Sequence, residues 1–568
     1  MSANPAAPAR PGGPPARTVA DLLLRREHDE RPGLRFEDEE WTWAEHVRLS
    51  RARARWLADM RDPRRPFHVG LLLDNVPEFS FLLGAAALGG AVVVGLNPVR
   101  RGEALAGDVR HSDCQLLVTE SRHRHLLDGL DLGLSPGRVH VVDSPDWAQS
   151  LRPAPGAGVP ATARSVAGDR GASSVRPDDL LMLIFTSGTD GDPKAVRCTH
   201  RKVVEPGLML AERMGLGRDD CAYVAMPMFH SNAVMAGWGV ALAAGATLAL
   251  RRSFSASGFL PDVRRFGATY ANYVGKPLSY VLATPARPDD ADNPLRIVYG
   301  NEGAERDLTE FGHRFGCAVV DGFGSTEGGV AVSRVPGSPP GSLGRPVDGV
   351  KVLDPETGHE CPTARFDRGA LANADEAVGE LVNTTGPGAF AGYYKEPQAE
   401  AARMRAGMYW SGDLAYRDAD GYLYFAGRAG DWLRVDGENL GTAPIERLLL
   451  RHPDIAQAAV YAVPDVVVGD QVMAALVLRD GATFDPGAFA AFLAEQPDLG
   501  PKSAPRYVRV CADLPRGRTY KVRTRDLGVQ RWNCDDPVWV RAEGAEGYEP
   551  LDDARRHSLE QRLSSSVR

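Results

Sequence analysis

The run Phe185-Thr186-Ser187-Gly188-Thr189-Asp190-Gly191-Asp192-Pro193-Lys194 puts hydroxyls, glycines and a lysine directly after the apolar stretch Leu180 to Phe185. That composition suits a loop that holds phosphates. Gly188 and Gly191 let backbone N–H groups approach an anion, Ser and Thr hydroxyls donate further hydrogen bonds, and Lys194 adds charge. Lysine is scarce: of 66 basic residues only seven are Lys, and one of them closes this loop. The loop does not follow the G-x-x-x-x-G-K-[ST] spacing of P-loop NTPases. Pro193 precedes the lysine, and Ala195 to Thr199 alternates like a strand where a P-loop opens a helix. A polar turn without a ligand is the plainer alternative.

Further clusters follow at wide spacing. Pro227-Met228-Phe229-His230-Ser231-Asn232 sets a histidine among apolar residues, where it serves as a satisfied core group or as a functional one. Asp321-Gly322-Phe323-Gly324-Ser325-Thr326-Glu327-Gly328-Gly329 ends a strand in a glycine-rich turn. A carboxylate there, beside a phosphate site, is a natural Mg²⁺ ligand, because Mg²⁺ is usually held by one or two carboxylates plus phosphate oxygens. Tyr409-Trp410-Ser411-Gly412-Asp413 places an acid after a glycine turn, suited to gripping ribose hydroxyls or to capping the turn. Asp418-Ala419-Asp420-Gly421 begins like a calcium loop but lacks the third acid and the closing Glu, and reads as a hairpin turn.

The elements that must carry these residues alternate between strand and helix. His68 to Leu73, Ala91 to Leu96, Cys114 to Thr119 and Leu180 to Phe185 are apolar runs of strand length, with Glu78 to Leu88 helical between the first two. Such alternation predicts an α/β fold with mainly parallel sheets. The Pro/Gly/Ala/Ser-rich stretch Ser150 to Asp178 reads as a long surface connection. Gly379 to Thr384 and Tyr422 to Ala426 predict strands of a small β section. Beyond Arg428 the pattern restarts with helix Ala443 to Arg451, strands Ala456 to Pro464 and Gln471 to Leu478, and helix Pro486 to Gln496. The expected organisation is a disordered tail over 1–17, a large domain over 18–427, a hinge over 428–434, and a smaller mobile α+β domain over 435–568.

Composition narrows the function. The 568 residues are 43% hydrophobic and 25% charged, which suits several packed cores, and the net charge of −8 is too small a bias to point to nucleic acid. Seven cysteines lie far apart with no C-x-x-C, which fits a reducing compartment, and the cytoplasm is expected. Phe79 to Leu96 and Met235 to Leu250 are broken by small residues and read as helix-then-strand core segments, so no transmembrane span is expected.

Taken in order, these clusters resemble the adenylate-forming superfamily of acyl-CoA synthetases, luciferases and peptide-synthetase adenylation domains. The matching blocks are T-S-G-T-x-G-x-P-K at Thr186 to Lys194 with His200, P-x-F-H at Pro227 to His230, and [YF]-G-x-T-E at Phe323 to Glu327. G-E-L at Gly379 to Leu381, S-G-D at Ser411 to Asp413, Gly427-Arg428, Gly437-Glu438 and Lys521 complete the set. Gly300-Asn301, Phe311 to Gly316, Arg428 to Asn439 and Thr519 to Lys521 are most similar to the long-chain and very-long-chain fatty acyl-CoA synthetases. The resemblance implies that a carboxylate attacks the α-phosphate of Mg-ATP to give acyl-AMP and pyrophosphate, after which the thiol of coenzyme A displaces AMP. It also implies roles. Thr186, Ser187, Thr189 and Lys194 would cradle the β and γ phosphates, Glu327 would hold Mg²⁺, Thr326 would bond the α-phosphate, and Asp413 would bind ribose. Lys521 would bridge the reacting carboxylate and α-phosphate oxygens, and His230 would gate the channel between acid and thiol. Arg428 counts among the nucleotide-binding residues, and rotation of the C-terminal domain would bring the loop at Gly437-Glu438 to the site. The expected partners are a small carboxylic acid, ATP and CoA, with a possible homodimer and no nucleic acid.

Three positions depart from the family pattern. Gly430 stands where many relatives carry Asp or Lys, Phe323 replaces the usual Tyr, and Gly300-Asn301-Glu302-Gly303 brings a charge to a segment normally uncharged. Glu302 is either exposed or turned inward, and an inward carboxylate would disfavour a plain alkyl chain. The leading expectation is a long-chain fatty acid–CoA ligase. The alternatives are an adenylating ligase for an aryl or amino-aryl acid, activation of nitrite for transfer to an amine, and a catalytically silent scaffold.

Overall fold

The computed structural model describes residues 15–152, 175–186, 193–335, 337–367, 370–428, 432–435, 438–465, 469–496, 499, 503–516, 522–542 and 547–566. Most of the tail expected over 1–17 therefore falls outside them, while Ala16 is already buried and Thr18 caps the first helix, Val19–Leu24. The chain divides into two compact units, one formed by 1–184 with 198–253 and the other by 185–197 with 254–568.

In the first unit, strands Val139–Val141, Leu116–Thr119, His68–Leu72, Val92–Gly95 and Leu180–Thr186 lie side by side in that order, all parallel. Every residue of His68–Leu72 is buried, as expected for a strand covered on both faces. The apolar run from Phe79 splits into helix Pro77–Gly89 and strand Val92–Gly95, because Gly90 takes a left-handed conformation (φ 71°) that ends the helix. Proline at the first helical position starts it. Helix Trp43–Met60 begins with a capping box, Thr42 accepting from the Glu45 backbone and Glu45 returning the bond. A second set of strands, Cys221–Val224, Thr247–Leu250 and Pro32–Phe36, is also parallel, with Glu39–Thr42 folded back antiparallel. Among the described residues no helix is long and apolar enough to cross a membrane.

In the second unit, Tyr270–Val274, Ile297–Asn301 and Ala318–Asp321 are parallel neighbours, so their carboxyl ends open on the same edge. A small antiparallel sheet follows, built from Val350–Leu353, Gly379–Asn383, Met408–Arg417 and Leu423–Arg428. The turn at Asp418 is a hairpin connection: its Oδ1 accepts from the backbone of Asp420 and Tyr422. The C-terminal α+β domain centres on Gly469–Leu478, flanked by Ile455–Asp465 and Tyr507–Val510. Alternate residues of that strand serve two cores. Val472, Ala474 and Leu476 join Leu449 and Phe489, while Met473, Ala475 and Val477 join Tyr461, Leu527 and Trp532. Each large apolar side chain so buried contributes about 1.5–3 kcal/mol. The strands and helices beyond residue 496, including helix Asp553–Ser566 whose Leu559 and Leu563 pack on the second core, have no counterpart in the sequence reading.

Candidate active site

Strand Leu180–Thr186 ends at Thr186, and the chain re-enters the described residues at Pro193, ahead of strand Lys194–Thr199. Ser187, Gly188, Thr189 and Gly191 lie outside the described residues. Strand Lys194–Thr199 is met by a distant segment: Tyr394 N donates to Ala195 O at 2.8 Å, and Arg197 N donates to Gly392 O at 3.0 Å. That pairing sets Tyr393 beside Lys194. Its ring centre lies 6.0 Å from Lys194 Nζ, and its hydroxyl donates to Glu327 Oε1 at 3.1 Å. The Thr186 hydroxyl reaches the same carboxylate oxygen at 3.4 Å. Thr186, at one end of the segment, and Tyr393, which lies beside Lys194 at the other, thus both bond Glu327.

Glu327 sits in the glycine turn that leaves strand Ala318–Asp321. Ser325 Oγ accepts from Gly328 N at 3.1 Å, and Asn383 Nδ2 donates to Gly329 O at 2.9 Å, so the turn is held from within and from the small sheet. Gly329 is required by packing: a Cβ there would stand 2.3 Å from the ring of Tyr409. Burial and then the Glu327 carboxylate push the Tyr393 phenol up to about 12, and burial with the same carboxylate raises Tyr409 further. Both stay protonated, and the Tyr393 hydroxyl is the donor to Glu327. Arg403 is half-buried beside Tyr393 and Tyr409 and within electrostatic reach of Glu327.

Asp413 lies on strand Met408–Arg417, directly opposite Arg428 in the antiparallel register. The Ser411-Gly412-Asp413 bend is set by Glu380, the acid of the G-E-L block. Its buried carboxylate accepts from Gly412 N at 2.7 Å and from Arg405 Nη2 at 2.8 Å. Ser411 Oγ accepts from Asp413 N at 3.0 Å. Tyr409 feels both Glu327 and Asp413, which puts the two acids on one neighbourhood of the second unit. Glu327 brings carboxylate oxygens, and Thr186 and Tyr393 bring hydroxyl oxygens, a set that fits one hard divalent cation shared with phosphates.

His230 belongs to the first unit. It starts the helical turn Ser231–Ala233, which continues as a π-turn over Val234–Trp238, and its ring packs against Phe229 at 4.4 Å. The loop before it is clamped by buried Asn75, which donates to Met226 O and accepts from Met228 N, both at 2.8 Å. His200 is structural: buried, it accepts from Val19 N at 3.3 Å, and burial pulls its pKa down to about 4. Also in the first unit, Asp74, Glu120 and His123 gather their ligand atoms as a metal site would. Arg122 and Arg252 compensate them as ion pairs, so the cluster reads as structural.

The remaining expected residues are spread differently. Arg428 ends strand Leu423–Arg428 and Glu438 begins strand Glu438–Gly441, whereas Gly430, Gly437 and Lys521 lie outside the described residues. Glu302 is exposed, with φ 65° in the left-handed region. Tyr393, Arg403 and the role of Glu380 were not anticipated from the sequence; the doubled tyrosine at 393–394 was the only local hint.

The AMP-binding enzyme family matches residues 24–394, and the AMP-binding enzyme C-terminal domain matches residues 444–521. The chain belongs to the AMP-binding enzyme family. It is an AMP-forming ligase, near the long-chain fatty acyl-CoA synthetases as the motif order implied. The medium/long-chain-fatty-acid–CoA ligase FadD17 of Mycobacterium marinum is 57% identical over 523 residues, covering 92% of this chain and 98% of that protein. The steroid-22-oyl-CoA synthetase of Rhodococcus jostii is 47% identical, covering 97% of this chain and 98% of its own. Among solved structures, the ATP-bound MatB of Rhodopseudomonas palustris superposes with a TM-score of 0.75 at 24% identity, covering 90% of this chain and 98% of that one. The anthranilate CoA ligase AuaEII in complex with anthranoyl-AMP gives 0.74 at 20% identity, covering 91% and 98%. Both likenesses carry the fold.

Proposed function

We propose that the protein is an ATP-dependent acid–CoA ligase whose substrate is a medium- or long-chain fatty acid. The observation that carries this reading is that Thr186 and Tyr393 both bond Glu327, with Lys194 beside the Tyr393 ring, within electrostatic reach of the strand that bears Asp413. In the first half-reaction a carboxylate oxygen bonds to the α-phosphorus of ATP and the bond to pyrophosphate breaks. In the second, the thiol sulfur of CoA bonds to the acyl carbon and AMP leaves.

The segment from Thr186 to Lys194 receives the β and γ phosphates, with Ser187, Thr189 and the backbone of Gly188 and Gly191 as donors. Glu327 would hold Mg²⁺, which when bound neutralises phosphate charge. Tyr393 and Arg403 fix the carboxylate of Glu327 for that task, Thr326 donates to the α-phosphate, and Asp413 accepts from ribose hydroxyls. Lys521 stabilises the charge that gathers between acid and α-phosphate, where one fixed cation in a dry site contributes several kcal/mol. The C-terminal domain turns about 428–434 between the half-reactions, bringing Gly437-Glu438 in, and His230 separates the acid and thiol paths. Seven free cysteines suit a cytoplasmic enzyme, and a homodimer is the assembly to test by sedimentation.

A second substrate reading rests on the relative named a steroid-22-oyl-CoA synthetase, which is 47% identical over nearly the whole chain. In it, the acid is a carboxylated steroid side chain. The aryl-acid, nitrite and silent-scaffold readings draw no support from the 57% and 47% identical relatives, and the anthranilate ligase, at 20% identity, carries the fold alone. The test is pyrophosphate release with fatty acids of graded length, a steroid side-chain acid, benzoate and nitrite, each with and without CoA. Release with fatty acids that Lys521→Ala abolishes, while thioester formation from supplied acyl-AMP persists, is expected. Release with none of the fatty acids would refute the first reading.

A further inference from the structure

In the second unit, helix Pro277–Leu282 follows strand Tyr270–Val274 at its carboxyl end, on the edge from which the loop of Thr326 and Glu327 leaves Ala318–Asp321. Helix Glu305–Phe315 fixes it in place. Ser279 Oγ donates to the carboxylate of Asp307, and Arg314 Nη1 donates to Leu282 O at 3.0 Å and to Thr284 O at 2.9 Å. Tyr280, half-buried on the short helix, meets a cation of the C-terminal domain: Arg516 Cζ lies 5.2 Å from the ring centre. That distance is within the range of a cation–π contact. Arg516 is itself held from within its own domain. Its Nη2 donates to Gln457 Oε1, on strand Ile455–Asp465, and lies 3.0 Å from Asp513 Oδ1. Its Nε is buried with no acceptor among the described residues. A buried cation with an incomplete set of acceptors gains from a π face beside it. Lys276, which precedes the same helix, is within electrostatic reach of Glu446 and Arg516, so the helix meets the C-terminal domain through more than one side chain.

Arg516 stands at the base of the segment that carries Lys521. It pairs with Val522 as an antiparallel bridge, and Arg523 N donates to Pro515 O at 2.8 Å, so the chain before and after residues 517–521 is held together at this point. We propose that Arg516 is a positioning residue for acyl-adenylate formation: seated on the Tyr280 ring, it registers the base of the Lys521 segment at the carboxyl edge of the sheet and so favours the domain orientation that serves the first half-reaction. When the C-terminal domain turns for the second half-reaction, this contact breaks. Its strength therefore sets the balance between the two orientations and leaves the chemistry of each unchanged. A cation–π contact suits that task, because a bias of about tenfold favours one orientation and still lets it go. This inference rests on the role given above to Lys521 and on the turn about 428–434.

The test is the ratio of two initial rates on the full-length protein: ATP–pyrophosphate exchange with dodecanoate, and thioester formation from supplied dodecanoyl-AMP and CoA. Each rate scales with the population of its own orientation, so the ratio of exchange to thioester formation follows the equilibrium between them. Tyr280→Leu removes the π face and should lower the ratio about tenfold, while Tyr280→Phe keeps the face and should match wild type. Arg516→Gln removes the cation and should lower the ratio by a similar factor. The double variant should lower it no further than either single change, because both remove the same contact. The Arg516→Gln readout stands even if Tyr280→Leu fails to fold. A ratio that is unchanged or raised, or a double variant in which the two effects multiply, would overturn the inference. Lys521→Ala tells its failure from that of the reading beneath it. If Lys521→Ala abolishes exchange while Tyr280→Leu leaves the ratio unchanged, this inference alone falls; if Lys521→Ala leaves exchange intact, the role of Lys521 falls and this inference with it.

Discussion

Replacing Tyr393 by Phe removes one oxygen and leaves the rest of the ring in place. Tyr393 is 4% exposed, its ring packs on Phe390 at 5.1 Å, and its hydroxyl is 3.1 Å from Glu327 Oε1. Because burial and Glu327 hold that phenol up to about 12, it is a full donor at any working pH. A hydrogen bond to a charged acceptor contributes about 1.5–3 kcal/mol. The Thr186 hydroxyl, at 3.4 Å, lies beyond the usual O–H···O range and replaces little of it. Glu327 is only half-buried, so water recovers part of the loss, and the low end, about 1.5 kcal/mol, is the expected cost. That corresponds to about a tenfold fall in kcat/KM for ATP. The assay is ATP–pyrophosphate exchange at saturating fatty acid, with the melting temperature as a control for folding. Thr186→Val, which removes the longer bond, should lose less. A change under about twofold for Tyr393→Phe, or a larger loss for Thr186→Val, would refute the view that Tyr393 orients Glu327.

Asp413→Ala should raise KM for ATP with little change in kcat, since ground and transition states both hold the ribose; a lowered kcat at unchanged KM would count against that role. Gly430→Pro locks φ near about −65° and should abolish one half-reaction while sparing the other, measured as pyrophosphate exchange and as thioester formation from preformed acyl-adenylate. Loss of both with a lowered melting temperature would place the hinge elsewhere. His46 is fully buried against Ser80, and burial pulls its pKa down to about 3, as it pulls His200 to about 4. The unfolded chain takes up these protons near pH 6.5 and the folded chain does not, so stability is lost as pH falls below 6.5. The slope is at most about 1.4 kcal/mol per pH unit for each histidine. Urea unfolding between pH 7 and pH 4.5 should show that slope, and His46→Gln should flatten it by one histidine's share; an unchanged slope would show that His46 is not its source.

The run from Thr186 to Lys194 stands out along the chain because it is a local object: its hydroxyls, glycines and lysine fall within nine consecutive residues, and a phosphate-holding composition can be read there before any fold is known. The same holds for the parallel strands, whose apolar runs must be buried wherever they go, and for the helix-to-strand break at Gly90. His200 shows where locality misleads. It falls beside the loop in sequence, yet its ring is spent on the backbone of Val19, 181 residues away. Glu327 was legible as an acid in a glycine turn, but its partners were not. Thr186 is 141 residues from it and Tyr393 is 66, and no pattern along the chain encodes those separations. Glu380 was visible only as part of a G-E-L block, and its task of holding the Gly412 turn appears once two antiparallel strands are in register. The sequence by itself determined the inventory of groups, the α/β class and the reaction those groups suit. Only the tertiary structure decided which hydroxyl faces which carboxylate and which acid is buried enough to change its pKa. Those properties come from strand pairing and burial, which depend on the whole chain packing at once.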